Sequence, residues 1–203
     1  MDNSKSVIEK LIEFAENSKR EIAYNEIAFE GNALYGVTHH ERYVYIPENK
    51  YESVFLAAYH NPKSINENNL YFGVFLLLNS YQTENLIIRE KNIFDKFFLS
   101  NKNVIKTDTE NFNKNFLIKG DAQTFTNKLN NIKLQSIISE TFQLKEGLLI
   151  GLNSFKHDFI PTFKNKSSFG IYSIQKWIID AEFIEKLFST IEKIKNVLTT
   201  NQY

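Results

Sequence analysis

Leu70-Tyr71-Phe72-Gly73-Val74-Phe75-Leu76-Leu77-Leu78 carries no charge and no polar alternation. A strand with one wet face alternates apolar and polar side chains, because successive residues point to opposite faces of the sheet. A run that is apolar throughout therefore reads as a strand covered on both faces. Phe55-Leu56-Ala57-Ala58-Tyr59 has the same character. Two such strands need a cover, and helices are expected over much of the sheet.

Around these two runs, from Ile27 to Arg89, lie short stretches rich in Tyr, Val, Phe and Ile. Turn formers separate them: Gly31-Asn32, Pro47-Glu48-Asn49 and Asn66-Glu67-Asn68-Asn69. The pattern predicts an antiparallel meander with strands at Ala33 to Thr38, Arg42 to Ile46, Ser53 to His60, Leu70 to Leu78 and Asn85 to Arg89. After Gly147, Leu148 to Leu152 reads as a central strand.

Helices come from the two ends and the middle. Val7, Ile8, Leu11, Ile12 and Ala15 repeat at helical spacing behind a Ser6/Glu9 capping box, which predicts a helix from about Ser6 to Lys19. Thr107 and Glu110 suggest a second capping box, opening a helix to about Asn115. Asp121, after Gly120, reads as the N-cap of another that carries Phe125 and Leu129 up to Asn130-Asn131. The last helix is predicted from Ile174, Trp177, Ile178, Ala181, Ile184, Phe188, Ile191 and Leu198. Phe183 and Leu187 widen its apolar surface, so it either wraps a large sheet or joins a second copy of the chain. The expected architecture is one α+β domain over residues 1–203: an antiparallel sheet of about five to seven strands covered by the N- and C-terminal helices and one or two short central ones.

The composition excludes several functions. Lys plus Arg equals Asp plus Glu at 24 each, so no net field gathers nucleic acid or an anionic membrane, and no nucleic-acid partner is expected. The chain has no cysteine, which removes disulfides, thiolate catalysis and cysteine-ligated metal. The start, Met1-Asp2-Asn3-Ser4-Lys5, is polar and unlike a secretory signal. The apolar run Val74 to Leu78 falls far short of the roughly 20 residues that span a bilayer as a helix. No membrane-spanning segment and a cytoplasmic location are the expectations.

The densest group of candidate ligands is His39-His40-Glu41, with His60 and His157-Asp158 as distant partners. Alternation lets His39 and Glu41 share a strand face while His40 points away. A metal site needs three or four convergent ligands, so the simpler reading is a polar turn between strands, and no metal or other cofactor is expected. Glu52, Asp121 and Asp158 are available carboxylates, but no spacing pairs two of them for acid–base work. Asp121 is accounted for as a helix cap. No Gly-x-Ser-x-Gly turn surrounds Ser80 or Ser173, and the glycines lack the pattern of a phosphate loop. The tyrosines from Tyr35 to Tyr81 could stack bases, but the span from Tyr35 to Tyr59 holds three Glu against one Arg and one Lys. Cross-strand packing is the better role for them.

Three ordered stretches between residues 70 and 161 resemble an uncharacterised bacterial family, a domain of unknown function found mostly in membrane-tethered proteins. Leu70 to Phe75 is similar to its aromatic-glycine-aliphatic-phenylalanine strand, followed by a strand at Ile87-Ile88-Arg89. Thr107 to Asp121 resembles its acidic residue, two phenylalanines four apart (Phe112 and Phe116), short strand and aspartate before a helix. Gly147 to Leu152, with Phe159-Ile160-Pro161, resembles its apolar strand and phenylalanine-containing loop. The chain departs from the family in lacking paired membrane segments, and in reading Ala122-Gln123-Thr124-Phe125-Thr126 where an alanine-aromatic-leucine-proline continuation is usual. The resemblance implies a fold type and a membrane-adjacent setting, and no catalytic residues.

The function expected from these readings is a non-catalytic binding or protein-interaction domain, with an unknown protein partner or self-association. The alternative is a hydrolase or transferase whose site assembles distant residues around His39, Glu41 and His157.

Overall fold

The structure is a computed structural model, and it describes residues 5–29, 39–48, 52–60, 69–78, 83–95, 103–154, 159–175 and 177–200. In chain order the elements are α1 (Val7–Asn17), β1 (Ala23–Phe29), β2 (His39–Glu48), β3 (Ser53–His60), β4 (Asn69–Leu78), β5 (Leu86–Glu90) and β6 (Val104–Ile105). Then follow α2 (Glu110–Asn115), β7 (Phe116–Gly120), α3 (Gln123–Leu129), α4 (Ile132–Leu144), β8 (Leu148–Leu152), β9 (Ser167–Ser173) and α5 (Ala181–Thr200). The expected strand at Ala33 to Thr38 lies outside the described residues.

Nine strands form one sheet in the order β1-β2-β3-β4-β9-β8-β5-β7-β6, and every neighbouring pair is antiparallel. The α+β class and the antiparallel sheet hold, and the strand count exceeds the expected five to seven. The N-terminal meander β1 to β4 supplies one half of the sheet and β5, β7 and β6 supply the other. The β8–β9 hairpin joins them, with β9 between β4 and β8. All seven residues of β9 are buried, although Ser167, Ser168, Gly170 and Ser173 make it look like a loop in the sequence.

Alternation sorts the meander into two faces. Val44, Ile46, Phe55, Ala57, Phe72 and Val74 join the main core under the helices. Phe72 meets Phe55 edge-on at 5.0 Å and stacks on Phe183 of α5 at 6.5 Å. Val54, Leu56, Ala58, Tyr71, Phe75 and Tyr172 form a second cluster, covered by the turn-rich segment 159–166 through Ile160 and Phe163. Among the described residues, the helices cover one face, and an irregular segment packs on the other.

The second face relies on close backbone approach. Gly73 pairs with Tyr172, and a Cβ there would sit 2.2 Å from the Ile171 carbonyl oxygen. Gly170 pairs with Phe75, whose ring would meet an added Cβ at 2.3 Å. The two glycines leave room for the large rings, and Phe75 and Tyr172 stack at 5.7 Å.

Both terminal helices start from identifiable caps. Glu9 N–H donates to Ser6 Oγ at 3.2 Å and Ser6 N–H donates to Glu9 Oε2 at 2.6 Å, completing the expected capping box. α5 begins at Ala181 rather than near Ile174, because Asp180 Oδ1 accepts the Phe183 N–H at 2.7 Å and fixes the first turn there. Ile174 is exposed, while Trp177 and Ile178 pack on the core from the non-helical segment before the helix. Phe183 and Leu187 are spent on the chain's own core, so the wide apolar face is the wrap of a large sheet. Arg20 ties both ends together. Its Nε donates to Glu48 Oε2 at 2.6 Å, its Nη2 to Glu185 Oε2 at 2.9 Å, and its guanidinium lies over Phe188 at 4.5 Å.

Two central caps differ from expectation. Thr109, not Thr107, precedes α2, and Thr107 is held by Asn113, which accepts its N–H at 2.9 Å and donates to its carbonyl at 2.6 Å. Asp121 does not cap α3, whose N-cap position is Ala122; its Oδ1 accepts the Asn85 N–H at 2.7 Å and pins the start of β5. α4, to which the sequence reading assigns no element, is capped by Asn131, which accepts the Leu134 N–H at 3.1 Å.

Candidate functional site

A pocket of about 240 Å³ opens where the end of α5 meets α3 and the ends of β4 and β8. Its floor is apolar because alternate strand positions and the inward stripe of α3 converge there: Leu76, Leu78, Phe125, Leu152 and Phe169. Phe125 and Phe169 lie 5.2 Å apart and set the back wall. Glu52, Lys128 and Lys195 stand among the lining groups and carry its charge.

Each charged group is held by the fold. Lys195 Nζ donates to Glu52 Oε2 at 3.3 Å, linking α5 to the start of β3. Glu52 occupies the left-handed region at φ 56, uncommon for a residue with a side chain, and its carbonyl accepts the Leu77 N–H at 3.5 Å. Lys128 Nζ donates to the Leu198 carbonyl at 3.3 Å, near the C-terminal end of α5 where helix carbonyls lack helical partners. The result is an apolar cavity with two ammonium groups and one carboxylate. Such a site can hold a small molecule with an apolar body and an anionic head.

The candidate residues named from the sequence are scattered. His39 and Glu41 occupy alternate positions of β2, and Glu41 pairs with His60 of β3 and Ile27 of β1 in the backbone register. His39, His40 and Glu41 are thus strand residues rather than the polar turn expected. His157 and Asp158 lie outside the described residues. Glu52 lines the α5 pocket, whereas Asp121 lines a separate 510 Å³ cleft with Asn103 and Asn127, so these two carboxylates do not share a cavity. Among the described residues, no three His, Asp or Glu side chains are grouped so that they could hold a metal ion. Tyr45 and Tyr71 pack within the second core cluster, as cross-strand packing predicts. Among the described residues, no helix is long and apolar enough to cross a membrane.

Sequence reasoning did not single out Lys128 and Lys195. Each sits on an amphipathic helix where a lysine ordinarily marks the solvated side, and no local spacing shows that α3 and the end of α5 meet. Comparison with family models, with curated proteins and with solved structures gives no match.

Proposed function

We propose that the chain is a non-catalytic binding domain whose pocket at the end of α5 takes a small amphipathic molecule with an anionic head. The observation that carries this reading is the placement of Lys128 and Lys195 at a cavity with an apolar floor. The floor rewards burial of a hydrocarbon body at about 25 cal/mol per Å². The ammonium groups select the charge of the head. Glu52 pairs with Lys195, so a ligand anion competes with that contact, and the affinity expected is modest and dependent on salt.

Octanoate is the probe, titrated by calorimetry against the whole chain, with octylamine at the same concentrations. Octanoate is expected to bind saturably and octylamine at least about tenfold more weakly. Lys195→Met is expected to weaken octanoate about tenfold and to be additive with Lys128→Met within a factor of about two. Equal binding of the two amphiphiles, or unchanged octanoate binding in the folded double variant, defeats the reading.

A further inference from the structure

The chain has three arginines, and they differ in what satisfies them. Arg20 binds Glu48 and Glu185. Arg89 grips Asp95 through both terminal nitrogens, at 2.6 and 2.5 Å. Arg42 has no carboxylate among the described residues. Its guanidinium carbon lies 4.5 Å from the ring centre of Trp177 and 5.7 Å from that of Tyr59.

Arg42 alternates with Val44 and Ile46 on β2, so it belongs to the helix-covered face. At its level that face is covered by the Trp177 segment that leads into α5. Glu26 is its register neighbour on β1, yet Glu26 is exposed and forms no ion pair with it.

Two buried side-chain donors here lack an acceptor: Arg42 Nε and Trp177 Nε1. Among the described residues the only other such atom is Ser53 Oγ, at the opposite end of the meander. Both nitrogens are donors only, and they belong to adjoining side chains, the Arg42 guanidinium carbon lying 4.5 Å from the centre of the Trp177 ring. Buried donors are almost always paired, so two orphans on adjoining side chains form a local demand for an acceptor. A cation or an apolar group meets none of that demand. Beside a guanidinium, the acceptor that gains most is an anion with two oxygens in one plane, because the fork can donate two parallel bonds to it.

We propose that Arg42 and Trp177 form an oxyanion-binding corner, with Tyr59 as its aromatic wall, for a small molecule bearing a carboxylate or phosphate. The guanidinium supplies charge and fork geometry, the indole N–H supplies a further donor, and the rings exclude water from the contact. The corner lies at the start of α5 and the amphiphile pocket at its end. A helix of 20 residues separates them by about 30 Å, so the two proposals stand or fall independently.

Trp177 is the only tryptophan in the chain, so its fluorescence reports on this corner directly. The whole protein is titrated with sodium phosphate and with sodium succinate, sodium chloride holding ionic strength constant. A saturable change in Trp177 emission is expected with at least one of them, and the anion that saturates at lower concentration identifies the class. Arg42→Lys keeps the charge and loses the fork; it is expected to weaken that anion at least tenfold. Arg42→Met is expected to abolish the response. If Arg42→Met does not fold, the wild-type protein decides: the binding anion must raise its thermal midpoint above that in chloride of equal ionic strength. A response no different from chloride, equal affinity in Arg42→Lys, or a high-resolution structure in phosphate showing only water at both nitrogens overturns the proposal.

Discussion

The two faces of the sheet are dried by different means. On one face, among the described residues, five helices bring Leu11, Phe112, Phe125, Phe142 and Leu187 into one core with the strands, so the cover of that face is shared among several elements. On the other face, among the described residues, the segment 159–166 brings Ile160 and Phe163 onto a cluster of rings. Phe163 meets Tyr45 edge-on at 6.4 Å and Phe75 edge-on at 5.7 Å. The helical face is broad and built from volume. The other face is small and built from fit, with Gly73 and Gly170 leaving space for the rings.

That contrast can be broken by mutation. The largest effect is expected from Phe72→Ala on the helical face, which removes a fully buried ring in contact with Phe55 and Phe183; a loss of about 3–5 kcal/mol by urea denaturation is predicted. A loss well under that range would mean the helices relax into the space, and the broad face would be less tightly packed than described. Gly73→Ala adds one methyl group on the other face, against backbone that cannot yield, and is predicted to cost about 1–3 kcal/mol. An unchanged urea midpoint would show that β4 and β9 part at no cost.

The smallest effect is a dependence on pH. Burial pushes the Tyr172 phenol above its ordinary value, and its hydrogen bond with Ser154 at 2.8 Å offsets part of that. The neutral phenol is favoured in the folded state. Its stabilising share is therefore fully present below about pH 10, where the unfolded chain also holds the proton, and is lost as pH rises through the folded value. Urea midpoints from pH 8 to 11 should fall more steeply in the wild type than in Tyr172→Phe. Parallel declines would mean that alkali reaches the ring cluster without unfolding it.

Much of this was legible where periodicity stays within one element. Ser6 and Glu9 announced α1, and the unbroken apolar run at Leu70 to Leu78 announced a strand covered on both sides. β9 was not legible: it sits in the middle of the sheet, but its serines are buried without looking apolar, Ser168 N–H donating to Asn153 Oδ1 at 3.0 Å. β1 was missed because it is an edge strand carrying Asn25 and Glu26, whose exposed side chains hide the pattern. Trp177 and Ile178 matched a helical period by coincidence, and that coincidence hid the corner they build with Arg42. The α5 pocket is a product of long-range packing between residues as far apart as Glu52 and Lys195, which no local pattern encodes.

The position of β9 also sets a timetable. β4 ends at Leu78, but the strand that closes its free edge ends at Ser173. At about 5–20 residues per second, a ribosome needs roughly 5–20 s to make the intervening chain. Through that interval the most apolar strand of the protein shows an open backbone edge to the cell, a template for pairing with neighbours. A nascent chain stalled before β9 should bind holdase chaperones tightly, and release should follow the emergence of the final hairpin.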